Sequence, residues 1–214
     1  MNLDPTPSTE VRRQERSSYD RDTIYSILDE SLTCHVGFVH EGRPVVIPML
    51  HVRVDDELLL HGSPASRLFR LFKQGTEVCV EVTILDGLVL ARAAFDHSAN
   101  YRSVVVFATP RPVVGLDERR QALDLFTDKI VPGRRPHLRA MTEKEVRATA
   151  VFALPIVEAS AKIRSGPPVD EEEDYALPIW AGVIPIETRF GDPVPDPRQH
   201  PDATEPAHLG FFRP

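Results

Sequence analysis

The polar and apolar positions of this chain change period several times, and each change marks an element. Up to Tyr19 there is no packing pattern, only polar residues, Pro5, Pro7 and the basic Arg12, Arg13 and Arg16; residues 1–19 are therefore expected to form a flexible arm. Asp20 or Asp22 can cap a helix that sets Ile24, Ile27, Leu28 and Leu32 on one side. The period then falls to two. Cys34, Val36 and Phe38 alternate with His35, Gly37 and Val39; His40 to Arg43 supplies a hairpin turn; Pro44 to Val54 gives a second long strand. Asp55-Asp56 turns the chain into the apolar run at Leu58, which breaks at Gly62 and restarts with helical spacing. Further strands are read over Glu77 to Leu85, Leu88 to Ala94 and Arg102 to Thr109, with Asp86-Gly87 as a hairpin signal between the first two.

Strands joined mostly by short turns imply an antiparallel meander, and one self-covering face favours a barrel over a sandwich. The second half adds a helix over Asp117 to Ile130 and a basic, proline-containing loop from Val131 to Arg139. Thr142 caps a short helix, and one strand follows from Val151 to Ile163. Ser165 to Leu177 reads as an exposed acidic loop, Ile179 to Ile184 as a last strand-like piece, and Gly191 to Pro214 as a proline-punctuated tail. The domain expected is mainly β with peripheral helices, over residues 20–187, followed by a tail over 188–214.

The 214 residues fit one domain, and 42% hydrophobic residues suffice for a sizeable core. A formal net charge of -7 argues against a nucleic-acid footprint. No apolar run reaches bilayer length, and the N-terminus lacks a signal-peptide core, so no membrane partner and a cytoplasmic location are expected. Two cysteines, Cys34 and Cys79, stand far apart in apparent strands as free thiols. The 8 histidines show no His-x-x-x-His on a helix and no carboxylate frame, so no metal is assigned. Gly37 to Gly42 lacks the Lys-Ser/Thr ending and the following helix of a P-loop.

Candidate chemistry gathers at Leu58 to Phe72. Ser63 is a good N-cap, Pro64 a good first helical residue, and Leu68, Leu71 and Phe72 share one face. A strand, a glycine turn and a capped helix aim backbone N–H groups at an anion, and Ser63, Ser66 and Arg67 add side-chain donors. The same stretch also reads as a capped surface helix with a solvated arginine.

Four segments taken together carry a resemblance. His61-Gly62-Ser63-Pro64-Ala65-Ser66-Arg67, Tyr101 to Phe107, Lys162-Ile163-Arg164 and Trp180 to Pro185 resemble the pyridoxamine 5'-phosphate oxidase-related, flavin-binding split-barrel family. The branch nearest is that of the nitroimidazole-resistance proteins, and the likeness spans about Ile24 to Ile186. It implies a split β-barrel homodimer that binds FMN at the subunit interface. It further implies Ser66 and Arg67 at the phosphate, with Gly62 and Ser63 beside them, and His61 next to the flavin as the candidate catalytic residue. Pro48, Met49 and His51 would line the ring and ribityl chain. Arg102 and Ser103 would reach the cofactor across the dimer, and Lys162 and Trp180 would lie near the isoalloxazine. The basic residues that a pyridoxal phosphate substrate needs are not all found. The activity implied is electron transfer from NAD(P)H to a small nitroaromatic, quinone-like or other aromatic acceptor. A flavin or haem carrier or sensor, and a deazaflavin-dependent reductase, stay open as alternatives. The redox chemistry would be the cofactor's, so no encoded acid or base is required.

Overall fold

The computed structural model describes residues 2–212. Along the chain lie β1 (Ser17–Ser18), α1 (Arg21–Glu30), β2 (Thr33–His40), β3 (Arg43–Val54), β4 (Glu57–Gly62), α2 (Arg67–Lys73), β5 (Val78–Leu90), β6 (Ser98–Ala108) and β7 (Arg111–Pro112). α3 (Leu116–Ile130), α4 (Glu143–Ala148), β8 (Ala150–Pro155), β9 (Glu158–Arg164) and β10 (Gly182–Pro185) follow. The strands form one antiparallel sheet in the order β1-β9-β6-β5-β2-β3-β4-β8-β7, with β10 added to β5. β3 belongs to both halves: its residues 43–50 pair with β2, and its residues 51–54 pair with β4. The sheet is thereby folded over itself into a split barrel.

Alternation decides what the barrel encloses. Val36, Val80, Val82, Val104 and Val106 from one half meet Leu58, Leu60, Phe152 and Leu154 from the other, all fully buried. α1 seals one end, capped as the spacing predicts: the Asp20 carboxylate accepts from the Thr23 amide at 2.9 Å, and Ile24, Ile27 and Leu28 are buried. α2 adds Phe69 and Phe72, whose rings lie 5.2 to 5.6 Å from each other and from Phe152, two of the three pairs edge-on. A second, smaller cluster lies on the outside of the β3-β4-β8 half, where Val52, Leu59, Val151 and Ala153 meet Ala122 and Phe126 of α3. α4 carries the capping box expected from Thr142 and Glu145.

Four expectations are corrected. Asp86-Gly87 is not a hairpin: β5 runs straight through it with a register shift, because the chain there also pairs with β10. Glycine is needed for that approach, since a Cβ at position 87 would stand 2.9 Å from the Ile184 carbonyl. The single strand read over Val151 to Ile163 is two, β8 and β9, which pair with β4 and β6 in opposite halves of the barrel. The N-terminal segment is packed, not free: Leu3 and Thr9 are buried, the Leu3 amide bonds the Tyr19 carbonyl at 2.8 Å, and the Thr6 hydroxyl donates to Glu158 at 2.6 Å. Finally, the acidic loop is anchored at Asp170, whose carboxylate accepts from the Arg92 amide at 2.7 Å and its guanidinium at 2.9 Å. Among the described residues no helix is long and apolar enough to cross a membrane.

Candidate functional site

The strand β3 changes partner between Leu50 and His51, and the turn after β4 comes up beside the residues just before that change. Between them opens a cleft of about 440 Å³ lined by Ile47, Pro48, Met49, Gly62, Ser63, Ser66, Arg67, Leu68 and Phe69. Six of the twelve residues that the resemblance implies are thus together: Pro48, Met49, Gly62, Ser63, Ser66 and Arg67. Gly62 is required at this place, because a Cβ would stand 2.8 Å from the Phe69 ring that floors the cleft.

The helix begins later than the spacing predicts. Ser66, not Ser63, is the N-cap of α2, and its hydroxyl accepts from the Phe69 amide at 3.3 Å. Residues 63–66 form a separate turn closed by the Ser66 amide on the Ser63 carbonyl at 3.0 Å, while the Ser63 hydroxyl accepts from the Ala65 amide at 3.3 Å. Pro64 suits this turn as well as a first helical turn, and that ambiguity misplaced the cap. Arg67 is exposed, its guanidinium 5.8 Å from the centroid of the Phe38 ring, and it has no carboxylate partner among the described residues. The cleft therefore combines aliphatic walls, a phenylalanine floor, two hydroxyls and one uncompensated cation. That set suits a flat, partly apolar ligand with an anionic end.

The other six expected residues lie elsewhere. His61 is on the opposite face of β4, its ring edge-on to Phe126 of α3 at 4.2 Å, with Nδ1 buried and unpaired among the described residues; burial lowers its pKa. Period-two alternation explains this, since Leu58 and Leu60 face the barrel and His61 falls with Leu59 on the α3 side. His51 is 1% exposed and turned toward α1, its Nε2 2.8 Å from the Leu28 carbonyl. Arg102 is spent on ion pairs with Glu30 and with Asp86, the latter at 2.7 Å. Ser103 and Lys162 line a different groove of about 260 Å³ under residues 8–12 of the N-terminal segment, where the Ser103 hydroxyl donates to the Lys162 carbonyl at 3.2 Å. Trp180 is 68% exposed, its ring over Gly182.

Sequence reasoning missed two features. One is the contribution of Ile47, Leu68 and Phe69 to the cleft; of these the helical spacing had singled out Leu68 alone, on a face with Leu71 and Phe72. The other is Lys129, whose Nζ lies 3.0 Å from the Leu28 carbonyl and 3.2 Å from His51 Nε2. Burial is the main cause that lowers the Lys129 pKa to about 8 and that of His51 to about 4, with the ammonium adding to the second. No local signal marks a lysine in a last helical turn as buried.

Against known proteins, the family model for pyridoxamine 5'-phosphate oxidase matches residues 20–163. No curated protein matches. The flavocytochrome Anf3 from Azotobacter vinelandii is 41% identical and has a TM-score of 0.93, with 99% of each chain covered. The FAD and heme binding protein from Mycobacterium smegmatis is 38% identical with a TM-score of 0.87, covering 92% of this chain and 97% of its own. A 5-nitroimidazole antibiotic resistance protein from Bacteroides thetaiotaomicron shares the fold, at 23% identity and a TM-score of 0.59 over 69% of this chain and 86% of its own. The cleft beside the shared strand, the barrel around it and these likenesses agree, and the chain belongs to the pyridoxamine 5'-phosphate oxidase family of split-barrel proteins.

Proposed function

We propose that the chain is a flavin-dependent oxidoreductase whose cofactor lies in the cleft between β3 and the β4–α2 turn. The observation that carries this is Arg67, a cation without a carboxylate partner among the described residues, placed beside Ser63 and Ser66 at one end of an aliphatic cleft. These three side chains would hold the phosphate end, and Ile47, Pro48, Met49 and Leu68 would flank the ring. The flavin, when bound, supplies the electron transfer; the chain supplies position and a dry apolar wall. FMN is the cofactor read from the resemblance, whereas FAD is the flavin of the mycobacterial relative; chromatography of the flavin released by heat separates the two. NAD(P)H would be the donor and a small nitroaromatic or quinone-like compound the acceptor. A second copy would cover the exposed apolar stripe of Leu88, its register partner Ile184, and Ile186.

Replacement of Arg67 by alanine is expected to weaken flavin binding by about 2 kcal/mol, the worth of a charge-assisted hydrogen bond. Fluorescence titration of the apoprotein measures it, and an unchanged dissociation constant removes Arg67 from the site. Colourless protein that ignores both FMN and FAD overturns the whole reading. Steady-state oxidation of NADH and NADPH against a panel of acceptors separates turnover from mere binding.

A second reading, that haem is bound as well, is favoured by one observation. The family model ends at residue 163, yet the two relatives known as a flavocytochrome and as a FAD and heme binding protein cover 99% and 92% of the chain. They necessarily share most of the stretch beyond the family's common barrel.

A further inference from the structure

The N-terminal segment crosses the outer face of β6 and β9, and a groove runs beneath it. On the inner face of these strands Val104, Val106, Ala159 and Ala161 fill the barrel. The alternate positions point outward as one patch: Ser103 and Val105 on β6, with their register partners Lys162 and Ser160 on β9. Residues 8–12 lie over that patch and leave a space of about 260 Å³. The segment is pinned on both sides of this space. On the N-terminal side the Thr6 hydroxyl donates to Glu158 at 2.6 Å; on the C-terminal side Ser17 and Ser18 pair with Lys162 and Ala161. Thr9 is buried between them, and its carbonyl accepts from the Tyr19 hydroxyl at 3.2 Å. The segment is thus a strap held in place, and the space under it is built by the fold.

Three observations point to the occupant. First, Ser160 is 3% exposed, yet its hydroxyl makes no hydrogen bond among the described residues and opens on the groove. A buried hydroxyl without a partner is a cost that a bound polar group relieves. Second, charges of both signs face the space without meeting. Arg12, Lys162 and Glu10 all line it, and none of them forms an ion pair among the described residues. The Lys162 ammonium lies instead 5.8 Å from the centroid of the Tyr101 ring. Third, Val11 and Val105 give the lining an apolar part.

A simple anion would match the two cations but set a like charge before Glu10. A simple amine would match Glu10 and leave both cations unmatched. An occupant that carries both signs satisfies all three. The volume limits its size: at about 30 Å³ for each water-sized group, the space holds roughly nine heavy atoms.

We propose that this groove binds a small α-amino acid as its zwitterion. Arg12, Lys162 and the Ser160 hydroxyl hold the carboxylate, Glu10 holds the ammonium, and Val11 and Val105 receive a short apolar side chain. Glu10 and Arg12 belong to the strap and Lys162 and Ser160 to β9, so the ligand fastens the strap to the barrel. The groove shares no lining residue with the cleft between β3 and the β4–α2 turn.

The test is isothermal titration calorimetry of the purified full-length protein with L-valine. One saturable site per chain is expected. Isovalerate, which lacks the ammonium, and isobutylamine, which lacks the carboxylate, are each expected to bind at least about tenfold more weakly. L-tryptophan exceeds the space and is expected not to bind. Glu10→Gln and Lys162→Met should each lower the affinity for L-valine on the order of tenfold, the loss of one charge-assisted hydrogen bond. Both side chains are exposed, and the ligand series on the wild-type protein tests the proposal whatever the variants do. Equal affinity for L-valine and isovalerate overturns the zwitterion. Binding of L-valine that neither substitution alters overturns the site. No binding of L-alanine, L-valine or L-leucine by the wild-type protein overturns the proposal as a whole.

Discussion

Replacing Phe69 by alanine is expected to destabilise the protein by about 3–5 kcal/mol, the usual cost of deleting a buried aromatic ring. Phe69 is 2% exposed, stands at the junction of three rings with Phe72 and Phe152, and forms the floor on which Gly62 rests. Removing it leaves a void bordered by both half-sheets and α2. The effect on the cleft follows from the same geometry, because Phe69 also lines it. Flavin affinity should therefore fall together with the urea midpoint. Phe69→Leu should recover most of the stability and less of the binding, since leucine refills volume but not a flat floor. If Phe69→Ala unfolds at the wild-type urea concentration, the three-ring junction is not the keystone of the core.

The second large effect is expected in acid. His51 has a pKa lowered from 6.5 to about 4, first by burial and then by the Lys129 ammonium. Because the folded state resists the proton, the unfolded chain takes it up first. The His51 contribution to stability is then whole above pH 6.5 and is lost as the pH falls toward about 4. The size is on the order of 3 kcal/mol. Urea unfolding at a series of pH values measures it, and Lys129→Met isolates it from carboxylates that titrate lower. That variant raises the His51 pKa in part and should make the acid limb shallower, while burial keeps the remainder. A wild-type profile that is level between pH 4 and 6.5 would sink this account of the His51–Lys129 contact.

How much of this was legible in the chain depends on the range of the interaction involved. Local rules found α1 through Asp20, α4 through Thr142, and the alternation of Val78, Val80 and Val82. They also found the cleft, because Gly62, Ser63, Ser66 and Arg67 are adjacent in sequence and needed only one partner strand. What the sequence did not show was long-range. His51 and His61 were on recognised strands, yet which side each faced depended on α1 and α3 arriving from 23 and 65 residues away. Arg102 looked available until Glu30 and Asp86 were brought to it. The N-terminal segment carries no periodicity because it packs through single side chains, Leu3 and Thr9, and not through a face.

One strand shared by two half-sheets has a mechanical consequence. β3 carries backbone hydrogen bonds into both halves, and the valines of one half close against Leu58, Leu60 and Phe152 of the other. Neither half can melt while its neighbour keeps its shape, so denaturation should be a single concerted event that different spectroscopic probes report at the same midpoint. It also means that a ligand held between β3 and the β4–α2 turn clamps both halves at once, and its binding energy is passed to the whole barrel and not to one edge of it.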